Sequence, residues 1–190
     1  MRQADDGFLH AQGNYEQLRV YKLAQCIYAI THHFANSYLR AGDRTIDQMV
    51  QAARSGKQNI AEGIADGITS RAIELKLLNV ARGSMQELKA DYEDYLLVNG
   101  LERWASDDER TLKARRYSYR HLDPEEYLAK AKQRQPATIA NIALTLIHRY
   151  DYQMVRLIRT LEARFLSEGG IREQMTRARL DYRDRHKEGR

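Results

Sequence analysis

The run Lys113-Ala114-Arg115-Arg116-Tyr117-Ser118-Tyr119-Arg120-His121 interleaves cations with aromatic rings. Cationic side chains neutralise phosphates, and a tyrosine beside them offers a face on which an unpaired base stacks. That combination is how single-stranded nucleic acid is often held. The plainer reading is a charged surface helix balanced by Asp107, Asp108 and Glu109. Arg54 and Lys57 form a second group. They lie three apart and flank Gly56, which lets another backbone or a phosphate come close. With Arg71, Lys76 and Arg82 they would make a phosphate-reading surface, or else an ordinary solvated face with Arg82 at a subunit contact. The C-terminal Arg172, Arg177, Arg179, Arg183, Arg185 and Lys187 read the same way, diluted by Glu173, Asp181, Asp184 and Glu188.

Residue types that do covalent chemistry are not arranged to do it. Asn59 and Glu62 share a helix face near its end, followed by Gly63. A carboxylate there opposes the helix dipole and needs a compensating partner, so the structural reading has Asn59 satisfying backbone groups and Glu62 paired with an arginine. A catalytic Glu62 has no companion at a useful spacing. His32 and His33 are adjacent, so they point to different sides of a helix and cannot chelate together. No Glu-x-x-His pair occurs, which argues against a di-iron bundle. Gly56, Gly63 and Gly67 do not fit a P-loop. No cofactor, metal or catalytic residue is expected.

The elements that must position these groups are helical. The 190 residues contain only two prolines and are dominated by good helix formers, so the fold class expected is all-α. A net charge of +5 is basic but nearly balanced. Cys26 stands alone among Leu23, Ile27 and Ile30 and reads as a buried small hydrophobe. No stretch reaches the apolar length of a membrane span, and no signal-peptide core opens the chain, so a cytoplasmic protein without a membrane partner is expected.

Apolar residues recur at three and four over about 15–40, 45–64, 70–99 and 136–166. On the third helix the face reads Ile73, Leu77, Val80, Ala81, Ser84, Leu88, Tyr92 and Tyr95. Gly42 suits a left-handed cap, Thr45 with Gln48 a capping box, and Thr69 or Ser70 the start of the third helix. The segment 101–135 is a charged insertion. Ser106 to Glu109 and Asp123 to Glu126 read as starts of two short surface helices, with Trp104 anchoring them. Four long helices with short early connections predict an antiparallel up-down four-helix bundle over 15–168, followed after Gly169-Gly170 by a basic helical tail, 169–190.

The stretch Gln51-Ala52-Ala53-Arg54-Ser55, the element Asn59-Ile60-Ala61-Glu62-Gly63, and Ala81-Arg82-Gly83-Ser84 followed by Glu87-Leu88 carry a family resemblance. From about Tyr15 to Leu101, and again from Ile139 to Gly170, the chain resembles the bacterial four-helix-bundle family. That family includes the proteins encoded in 23S ribosomal RNA intervening sequences and the accessory variability determinant of diversity-generating retroelements. The insertion and the tail are similar to the longer variant with a C-terminal suffix region. The resemblance implies a homo-oligomer, a ring of five with a basic surface. It also implies binding of RNA or DNA as a non-catalytic adaptor, with a reverse transcriptase as partner in the retroelement members. A protein–protein scaffold without a nucleic-acid role is the alternative.

Overall fold

The computed structural model of the chain describes residues 15–67, 70–169 and 171–187. These hold a 3-10 turn (Tyr15–Gln17) and seven α-helices, with no strand among the described residues. The helices are α1 (Arg19–Tyr38), α2 (Arg44–Asp66), α3 (Arg71–Val98), α4 (Glu109–Tyr117), α5 (Pro124–Ala131), α6 (Pro136–Glu168) and α7 (Ile171–Lys187). The all-α expectation is met, and no described helix is long and apolar enough to cross a membrane.

Side-chain caps decide most helix starts. Ser70 Oγ accepts from Ile73 N, and the carboxylates of Asp108 and Asp123 accept from Arg110 N and Glu125 N. Pro124 opens α5 at a position where its missing N–H has no helical partner to lose. At α2 the expected Thr45 cap gives way to Asp43, whose carboxylate accepts from Thr45 N at 2.9 Å. That bond holds the Asp43 pKa below its ordinary value, and its charge also complements the helix dipole. The first helix is shorter than expected: it starts at Arg19, and Leu39 has already turned extended. Gly42, at φ +84°, therefore sits in the turn beyond the helix rather than capping it.

The α2–α3 hairpin is built on small residues. A Cβ added to Gly56 would lie 2.7 Å from Met85 Cε, one on Gly63 3.2 Å from Leu77 Cβ, and one on Gly67 2.5 Å from the Glu74 carboxylate. Partner numbers fall as glycine numbers rise, so the two helices run antiparallel. Ser84 Oγ donates to Ser55 Oγ at 2.9 Å along the same seam. This register corrects the expected face of α3. Leu78, Ala81, Met85, Leu88, Tyr92 and Leu96 are buried, whereas Ile73 and Val80 are 45% and 44% exposed. Helix α3 is rotated so that Met85 fills the space Gly56 leaves.

Helix α1 packs on α2, α2 on α3, α3 on α6, and α6 back on α1. The core between them takes Leu23, Ile27, Ile30, Leu88, Leu146 and Ile147, and Cys26 is buried there as expected. Two of its tyrosine hydroxyls are paired. Tyr92 Oη donates to Thr31 Oγ1 at 3.0 Å, and Tyr150 Oη donates to the Gly56 carbonyl at 3.1 Å. Phe34 meets the Tyr92 and Tyr95 rings at 5.0 and 4.8 Å.

The charged segment lies on this framework through α1·α5 and α4·α6 contacts. Asn141 fastens its start: its Oδ1 accepts from Trp104 N at 2.8 Å and its Nδ2 donates to the Glu102 carbonyl at 2.9 Å. Asn141→Leu leaves both backbone groups without that partner. A loss of about 2–3 kcal/mol is expected, read as a lower denaturation midpoint with red-shifted Trp104 emission. An unchanged midpoint would refute the fastening role. Each described side chain of helix α7 is exposed, including Met175, Leu180 and Tyr182.

Candidate nucleic-acid interface

Helix α6 reads Arg149, Tyr152, Arg156 at spacings of three and four, which puts them on one face. Opposite that face stand Arg19 at the start of α1 and the turn after α4. Together with Arg115, Tyr119 and His148 they line an open cleft of about 730 Å³. No acidic side chain lines it.

Arg149 is its deepest cation, only 6% exposed. Its Nη1 donates to the buried Ser118 hydroxyl, and its guanidinium lies 3.9 Å from the centre of the Tyr119 ring. No carboxylate pairs with it among the described residues. Asp151 is two residues away but points to the other side of α6. There it accepts from Arg82 Nε at 2.6 Å and from Gln86 Nε2 at 3.0 Å. Burial pulls the Arg149 pKa below the ordinary arginine value. The Tyr119 ring opposes that shift, and Arg19 and Arg115 add to it. A buried guanidinium pushed by two like charges is a site that an anion relieves.

The remaining geometry suits an extended polyanion. Arg19 Nη2 donates to the Tyr119 carbonyl at 2.6 Å, so it is oriented without being neutralised. Tyr119 and Tyr152 are 55% and 62% exposed, and Arg156 stands 5.9 Å from the Tyr152 ring. Two exposed rings beside four guanidinium groups offer both stacking faces and phosphate partners.

The residues expected from sequence divide. Arg115 and Tyr119 enter this cleft, whereas Lys113 and Tyr117 line a separate cavity on the other side of α4. Tyr117 is occupied: it stacks on His121 at 4.0 Å and bonds Glu126 and Lys130. Bonds to Glu126 from Tyr117, Lys130 and His121 hold its carboxyl down at about 2. Arg116 and Arg120 are exposed. On α2 and α3, Arg71 is paired with Glu74 at 2.9 Å, Arg82 with Asp151, and Lys57 covers the Tyr28 ring at 4.5 Å. Arg54 and Lys76 are exposed. Asn59 is structural in its contacts, donating to the Ser55 carbonyl and hydroxyl at 2.9 and 3.0 Å. Gly63 is buried against Leu77 and Glu74, and Glu62 is exposed with no ion pair among the described residues.

Arg19, Arg149, Tyr152 and Arg156 were not among the residues expected. One signal existed: Arg149 interrupts the apolar stripe of α6 between Leu146 and Tyr150. Comparison with protein-family models, curated proteins and solved structures gives no match to this chain. The chemistry of the cleft is then what a functional reading stands on.

Proposed function

We propose that this chain is a non-catalytic, cytoplasmic, oligomeric adaptor that binds RNA or DNA through the arginine–tyrosine cleft between α1, α4 and α6. The carrying observation is Arg149, buried, unpaired with any carboxylate among the described residues, and flanked by Arg19 and Arg115. A protein retains such a charge at a cost in stability, which an anionic ligand offsets. The cyclic order α1, α2, α3, α6 and the antiparallel α2–α3 seam support an up-down four-helix bundle. That bundle agrees with the family resemblance, which is the ground for proposing a pentameric ring and a reverse-transcriptase partner. A ring repeats one modest cleft and raises avidity without new contacts.

The test is fluorescence anisotropy of a labelled oligonucleotide over a range of salt. Four arginines predict a slope of log affinity against log salt near roughly −3, at about 0.7 per neutralised phosphate of a single strand. Arg115→Glu with Arg156→Glu should flatten the slope by about 1.4 and weaken binding more than about tenfold. Binding that survives those changes and falls with Arg54→Glu and Lys57→Glu moves the interface to α2. The exposed Met175, Leu180 and Tyr182 of α7 favour the scaffold reading. In that case a partner is lost with α7 and nucleic acid does not bind even at low salt.

A further inference from the structure

On the opposite side of α4 from the arginine cleft lies a second cavity, of about 540 Å³, between α1, α4, α5 and α6. That is within the size range of small-molecule sites. Its floor is apolar: Ile30 and Ile139 are 1% exposed, and Ile142 joins them. Its other walls hold Arg110, Lys113, Lys130 and Arg134, and no acidic side chain lines it. Arg110 is engaged with Asp108 and Glu102, and Lys130 with Glu126. Lys113 and Arg134 are exposed, with no ion pair among the described residues.

Tyr127 also lines the cavity. It is 5% exposed, and its hydroxyl meets no hydrogen-bond partner among the described residues. That oxygen has essentially no accessible surface and is felt by Cys26 and Arg149, so the ring and not the hydroxyl borders the cavity. An apolar floor and two cations without an ion pair among the described residues are complementary to a single chemical class.

From this we infer that the cavity is a binding site for a small amphiphilic carboxylate. Its apolar body lies along Ile30, Ile139 and Ile142 beside Trp104. Its negative charge is met by Lys113 and Arg134. The site uses none of the residues that line the nucleic-acid cleft and stands independently of that proposal.

Trp104 is the chain's single tryptophan and lines this cavity, so its emission reports on the cavity directly. The experiment titrates sodium decanoate and, separately, decanol into the full chain while following Trp104 fluorescence. Decanoate should give a saturable change and bind at least about tenfold more tightly than decanol, the worth of one charge-assisted contact. Lys113→Glu with Arg134→Glu should abolish that preference and leave decanol binding as it was. No saturable response to decanoate overturns the inference, as does equal binding of acid and alcohol.

Discussion

Arg149→Met lowers nucleic-acid affinity by about thirtyfold and at the same time leaves the protein as stable as before, or more so. Both halves follow from the same environment. The guanidinium is 6% exposed, hydrogen-bonded to Ser118 and laid on the Tyr119 ring, with no carboxylate near it among the described residues. A charge-assisted hydrogen bond to a phosphate is worth about 2 kcal/mol, which is the affinity expected to be lost. Methionine has a similar length and no charge to desolvate, so it removes the repulsion from Arg19 and Arg115 and keeps the stem packing. Parallel thermal melts and anisotropy titrations check this. A variant that melts well below the parent while binding normally would make Arg149 a structural residue.

Gly56→Leu should destabilise the fold by about 3 kcal/mol, and Gly83→Ala should stabilise it by about 0.5–1 kcal/mol, although both glycines lie inside helices. The difference is what each would touch. At Gly56 a first added carbon already stands 2.7 and 2.8 Å from Met85 Cε and Cγ, and the same residue's carbonyl receives the Tyr150 hydroxyl. A leucine must push α3 away from α2 and disturb that bond. At Gly83 an added carbon meets nothing within 4 Å, so alanine brings only its better helix propensity. For a chain of this length the melting point should drop by roughly 6–12 °C in the first case and rise by a few degrees in the second. A fall in melting point with Gly83→Ala would mean that another subunit covers this face of α3.

Helix content was readable from the sequence because α1, α2 and α6 keep a regular apolar period over their whole lengths. The caps at Ser70 and Asp123 were readable because their chemistry is local. The rotation of α3 was not. Ile73 and Val80 satisfy the period as well as Leu78 and Met85 do, and only the close approach at Gly56 and Gly63 chooses between them. The candidate site was half legible. Arg115 and Tyr119 stand out in a cation–aromatic run, but Arg19, Arg149 and Arg156 come from helices far apart in the chain. Nothing local says that Asp151 faces Arg82 and leaves Arg149 without a counter-charge. Pairing across helices decides which arginines remain available, and one-dimensional spacing does not contain it.

Helix α4 is nine residues long, below the length at which a helix holds itself together in water. Its pose is borrowed from α6 and from the turns on either side. It also separates two hollows, showing Arg115 to one and Lys113 and Tyr117 to the other. A short strut with a load on each flank cannot shift toward one without shifting away from the other. Any ligand that moves α4 therefore alters the opposite hollow, and thermodynamic reciprocity makes the influence equal in both directions.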